Sequence, residues 1–193
     1  MLAFLGFVAM TSVSAASPGA KPNAQGGGRA RFWKMIDDAR AGAGSDQVFM
    51  GRLAGRLRSL KPQEISEFNR QFYEVHRGSY RWDLWGACYL MMGGCSDDGF
   101  EYFRAWLIGQ GQRVFENAER DPDSLASLPG GGELEELMSL AYDIHQEKTG
   151  KRIPYPPPGA TAVPTDPQGV KWDFENDTEN KKRLPKVFAR FGR

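Results

Sequence analysis

Two cysteines in 193 residues are too few for a disulfide framework, and no Cys-x-x-Cys pair or Cys/His cluster carries zinc-ligand spacing. No run of about 18 apolar residues occurs, so no transmembrane helix is expected. Net charge is nearly absent, with 25 Lys and Arg against 24 Asp and Glu. That balance argues against a surface that grips nucleic acid or anionic membrane along its whole extent, though not against a local basic patch. Strand signals are scarce. There is no sustained alternation of β-branched residues and no Asn-Gly hairpin turn.

Helical periodicity fills the space these absences leave. Phe32, Trp33, Ile36 and Ala39 share one face of a first helix, which stops in Ala41-Gly42-Ala43-Gly44. Asp46 is placed to cap a second helix carrying Phe49, Leu53, Leu57 and Leu60. Pro62 suits the first turn of a third, with Ile65, Phe68, Phe72 and Val75 in register. Trp82 to Met92 is apolar almost all round, the pattern of a helix at the centre of a bundle, and Gly93-Gly94 ends it. Trp85 belongs to its core. Ser96 caps the next helix, with Asp97 and Asp98 in the first turn and Cys95 and Phe100 at the two positions of a hydrophobic staple. Its aromatic residues occupy two faces, so it is expected between neighbours. A short helix from Val114 to Glu119, a turn or two from Asp121 to Leu125, and a long helix through Leu134, Leu137, Ala141 and Ile144 follow. Gly150 closes the last of these.

Both ends differ in composition from the middle. Leu2 to Met10 is an apolar run followed by small residues, with Val13-Ser14-Ala15 resembling a cleavage site. Residues 1–16 read either as a secretory signal that lacks its basic n-region, giving export, or as an unstructured leader of a cytoplasmic protein. Residues 17–29 are rich in Gly, Pro and Ala and are expected to be linker. The helical domain spans 30–150. Residues 151–171 form a Pro-rich linker, and 172–193 combine an aromatic arm at Trp172-Asp173-Phe174 with a basic tail.

Candidate chemistry is sparse. Asp97 and Asp98 are paired carboxylates beside a glycine turn, and such a pair can bind a metal or act as acid and base. Complementing the helix dipole explains them more simply, and neighbouring helical residues point about 100° apart. Asp83 is the one charge inside the apolar helix. It is expected to be buried and paired with Arg81, Arg104 or His76, as a structural pair before a catalytic base. His76 and His145 lack ligand spacing, although His76 with a carboxylate can do acid–base work. Cys88 and Cys95 lie seven apart, about 10 Å on a continuing helix, so two buried free thiols in a reducing compartment are expected. Cys95 as a nucleophile at a helix N-terminus is disfavoured by Asp97 and Asp98. The basic residues Lys181, Lys182, Arg183, Lys186, Arg190 and Arg193 read as a solvated face, with nucleic-acid contact as the weaker reading.

The motifs Trp82-Asp83-Leu84-Trp85-Gly86-Ala87, Gly93-Gly94-Cys95-Ser96-Asp97-Asp98-Gly99-Phe100 and Tyr102-Phe103-Arg104-Ala105-Trp106-Leu107 resemble a bacterial family, domain of unknown function 4240. Phe32-Trp33, Ile36-Asp37, Ala39-Arg40 and Pro122-Asp123-Ser124-Leu125-Ala126 are similar to it as well. The resemblance covers about Arg31 to Gly150. It implies a compact, mainly helical domain and no established activity. Lys61 departs from the pattern, standing where a capping serine is usual.

These observations point to an all-α, compact single-domain bundle of about seven or eight helices joined by short connections. The leading functional expectation is a non-enzymatic interaction module with an unknown protein partner; Trp172 and Phe174 are expected to dock on the bundle or, if exposed, to anchor that partner. The alternative is a hydrolase or metal-binding enzyme built on Asp97 and Asp98 with Asp83 or His76. No cofactor is expected.

Overall fold

The computed structural model describes residues 24–162 and 164–192. The leader-like run and residues 17–23 lie outside the described residues. Nine α-helices and one 3-10 helix make up the regular structure described. They are α1 (Ala24–Arg40), α2 (Asp46–Arg58), α3 (Pro62–Gly78), α4 (Trp82–Met92), α5 (Asp97–Gly109), α6 (Gln112–Arg120), the 3-10 helix Pro122–Ser127, α7 (Glu135–Thr149), α8 (Asp177–Arg183) and α9 (Pro185–Phe191). Among the described residues the only β pairing is an isolated parallel bridge between Arg81 and Gln168. The protein is all-α.

The apolar faces read from the sequence form one core. Phe32, Ile36, Phe49, Leu53, Leu57, Ile65 and Phe68 are all buried. Helix α5 is sandwiched as its two aromatic faces require, with Phe100, Phe103, Trp106 and Leu107 buried and α3, α6 and α7 packed around it. Ser96 caps α5 by accepting the Gly99 N–H at 3.1 Å. At α2 the cap is Ser45, whose Oγ accepts from Val48 N, and not Asp46, which instead pairs with Arg40 at 2.7 Å. At α3, Lys61 supplies no side-chain cap, but Glu64 reaches back to accept its N–H at 3.1 Å. Helix α1 starts inside the stretch expected to be linker. Gly28 lies so close to α3 that a Cβ there would meet Gln71 Nε2 at 3.0 Å.

Two further expectations are corrected, and the tail gains regular structure. Helix α4 is not the centre of the bundle. It packs on α5 and the 3-10 helix, and is also covered by α9 and the segment after the family-like region. Trp172 is buried there, its ring against Gly86, and Phe174 lies 5.6 Å from Tyr89 and 6.2 Å from Trp82. The all-round apolar pattern thus records several partners around α4, not a central position. The basic residues Lys181, Lys182, Arg183, Lys186 and Arg190 are exposed, as a solvated face requires, and the chain that carries them forms α8 and α9. Asn176 caps α8, and the buried Asp123 accepts from Lys186 N and Val187 N at 2.8 Å each, capping α9.

Finally, Cys88 and Cys95 form a disulfide, with Cα atoms 6.1 Å apart. Extrapolating the helix missed the reversal at Gly93 (φ 72°) and Gly94 (φ 134°). Both angles lie in the region glycine tolerates, and Gly94 N–H closes the turn on Tyr89 O at 2.9 Å.

Candidate functional site

The structure separates the residues singled out from the sequence. Asp97 and Asp98 are exposed in the first turn of α5. Asp83 is half-buried near the start of α4, where its carboxylate takes Arg81 Nε at 3.0 Å and also bonds Arg81 Nη2. Burial of Asp83 was expected because its helix is apolar, yet a first-turn position leaves the carboxylate at the rim. Arg104 pairs with Glu101 instead. Among the described residues no group of three or more His, Cys, Asp and Glu side chains is placed to hold a metal. Trp172 is committed within the fold, donating its indole N–H to Asn180 at 2.8 Å, with Phe174 edge-on at 4.9 Å.

Among the candidate catalytic residues Asp83, Asp97, Asp98 and His76, His76 lines an enclosed cavity. The cavity, of about 110 Å³, lies between α3, α5 and α7. Helix α3 contributes Asn69, Phe72, Tyr73, His76 and Arg77, which recur on neighbouring turns of one face. Helix α5 adds Glu101 and Arg104, α7 adds Met138 and Tyr142, and Tyr155 arrives from the chain beyond α7. The same stretch is tied down nearby. Tyr155 meets the edge of Tyr73 at 5.7 Å, and Thr161 N–H donates to Glu74 at 2.8 Å.

Arg104 is the electrostatic centre of this pit. It is 2% exposed, donates from Nη1 to the His76 carbonyl and from Nη2 to Glu101, each at 2.7 Å, and lies over the Tyr80 and Phe100 rings. Burial pulls its pKa down while Glu101 holds it up, and an arginine stays protonated at neutral pH. Burial, then the Arg104 charge, push the His76 imidazole down to about 3. His76 is therefore neutral, stacked on Phe72 at 5.5 Å, with Nε2–H donating to the Glu101 carbonyl at 2.9 Å.

Three polar atoms on the residues of this pit lack acceptors, although the Arg77 Nη2 group donates to Glu74 at 3.1 Å. Asn69 Nδ2, Arg77 Nε and Arg104 Nε are buried and have no hydrogen-bond partner among the described residues. All three belong to residues that line this one cavity. The fourth such atom, Trp33 Nε1, belongs to the core. Asn69 is 1% exposed. Asn69, Arg77, Tyr142 and Tyr155 carry no local signal in the sequence, where Arg104 stands as a possible partner for Asp83 and within the Tyr102–Leu107 motif. The available signal was Arg104 itself, a cation in the buried stretch Phe103-Arg104-Ala105-Trp106.

Met138, Tyr142 and Tyr155 also line a broader surface groove of about 680 Å³ beside the pit. Glu135, Glu136, Asp143 and Arg152 supply the charge along that groove.

Residues 28–147 match the model of a family described as "Protein of unknown function (DUF4240)". No curated protein and no solved structure matches the chain.

Proposed function

From the premise that this chain belongs to the DUF4240 family, for which no function is described, we propose a non-enzymatic recognition module whose ligand enters the pit between α3, α5 and α7. The observation that supports this reading is a cavity lined by three residues, Asn69, Arg77 and Arg104, each of which carries a buried N–H without a partner among the described residues. Leaving a buried donor without an acceptor costs about 1–3 kcal/mol, and a bound acceptor removes that cost. The hydrolase or metal-enzyme alternative has less support, because Asp97, Asp98 and Asp83 lie outside the cavity that holds His76. A protein ligand keeps the reading within the interaction class.

The test is a thermal-shift panel of neutral amides, alcohols, carboxylates and phosphates on the wild-type chain and on Asn69→Leu. At least one class should raise the wild-type Tm by mass action and leave the variant unmoved. Identical shifts in both proteins, or none in either, overturn the proposal.

The Cys88–Cys95 disulfide supports an oxidising compartment over the cytoplasmic alternative, in keeping with export through the apolar leader. Recovery of the protein from its host with both thiols reduced would reverse that placement.

A further inference from the structure

We propose that the ring of Tyr155 is a gate between the pit and the surface groove, closed in this structure and turned outward when a ligand enters. This rests on the pit being a binding site, whose access the ring controls. Met138, Tyr142 and Tyr155 line both spaces, so their side chains form the partition between them.

The three are not held alike. Met138 and Tyr142 are half-buried and belong to α7, a helix packed against α3 and α5. Tyr155 belongs to the irregular chain after α7 and is 72% exposed, the one exposed aromatic side chain among the described residues. Its backbone is nevertheless pinned. Ile153 and Pro157, two residues to either side, are buried, and the Thr161 bond to Glu74 holds the chain farther on. A loosely held ring on a fixed backbone moves by rotation between staggered rotamers, with no displacement of the chain. Its aromatic neighbour is Tyr73, met edge-on at 5.7 Å. The Tyr155 phenol also feels the pit. Burial, then Tyr73, Glu101 and Tyr142, raise its pKa, and Arg104 lowers it. The ring therefore stands beside the ions of the pit although most of the residue meets solvent. A ligand that outgrows a space of about 110 Å³ toward the groove must displace this partition, and Tyr155 is its least anchored member.

The experiment is thiol labelling of the full chain. The two cysteines are joined to each other, so a cysteine placed by mutation is the one free thiol. Asn69→Cys and His76→Cys place it on the pit wall, and two positions guard against a variant that fails to fold. Ser139→Cys places it in the groove alone and Ala118→Cys in the core. Reaction with methyl methanethiosulfonate is followed by intact mass. The pit thiols should react more slowly than Ser139→Cys and faster than Ala118→Cys, which reports opening without unfolding. Adding Tyr155→Ala should speed the pit thiols about three- to tenfold, the closed-to-open ratio that one edge-on aromatic contact sustains, and leave the other two unchanged.

Pit thiols as fast as Ser139→Cys would mean a pit that stands open, and pit thiols as slow as Ala118→Cys a pit reached only by unfolding. Either result overturns the gate. So does a Tyr155→Ala that leaves the pit rates unmoved, or that speeds Ala118→Cys equally. Labelling needs no ligand, so the two readings fail separately. If the thermal-shift panel finds a ligand and Tyr155→Ala changes no rate, the gate falls while the recognition module stands. If the rates show the gate and no compound binds, the recognition module falls and the movement of the ring remains.

Discussion

His76 makes stability depend on acid in a direction the structure fixes. Its pKa falls from 6.5 to about 3 on folding, through burial and then the neighbouring Arg104 charge, opposed by the bond to the Glu101 carbonyl. The unfolded chain therefore takes up a proton below about 6.5 that the folded chain refuses until about 3. Stability contributed by this residue is complete above that window and is lost as pH falls through it, with a slope of up to about 1.4 kcal/mol per pH unit. Urea titrations at pH 7 and 4.5 should show wild type losing more stability than His76→Gln, which lacks the proton but can still donate to Glu101. Equal losses would mean that the imidazole is hydrated. Gly86 carries the opposite kind of sensitivity. Alanine is normally the better helix former by about 1 kcal/mol. Here its Cβ would meet Trp172 Cη2 at 2.6 Å. Gly86→Ala is thus expected to cost about 1–3 kcal/mol through overpacking, with stronger acrylamide quenching of tryptophan. A stabilised Gly86→Ala would show that the ring does not seat there.

Asp123 sets the element-scale behaviour of the tail, because its carboxylate receives the first free N–H groups of α9. Asp123→Ala should cost about 0.5–2 kcal/mol, the range for a lost helix cap, and should speed proteolysis between Leu184 and Phe191. Unchanged cleavage would mean that α9 is held by packing alone, through Val187. Helices α1 to α7 were legible in the sequence because each buries a face whose spacing is local. The Ser96 cap, the Gly93-Gly94 stop and the sandwiched α5 need only neighbouring residues to be seen. Helices α8 and α9 were not legible as elements, since each has seven residues and depends on distant anchors. The pit was hidden for a related reason. Asn69, Arg104, Tyr142 and Tyr155 meet only after three helices pack, and no spacing along the chain joins them. His76 was visible as a residue, but its neutrality follows from burial beside a cation, a property of the packed state.

Across the whole molecule, the strap from Gln168 to Phe191 completes a fold that the family match, ending at residue 147, does not encompass. Trp172→Ala should cost about 3–5 kcal/mol, the usual loss for deleting a large buried aromatic side chain. Wild-type denaturation followed by far-UV circular dichroism and by tryptophan fluorescence should trace one transition. Two separated transitions would show that the strap melts on its own and that α4 can stand uncovered. The disulfide adds a constraint of another kind. Cys88 and Cys95 turn the end of α4 and its glycine reversal into a closed covalent ring. The polypeptide is therefore not a simple line. A protease that cut once between Tyr89 and Gly94 would open the ring without parting the chain, leaving the N-terminal and C-terminal halves joined through sulfur. Such a nicked molecule would keep its full mass plus one water until a reductant released two fragments.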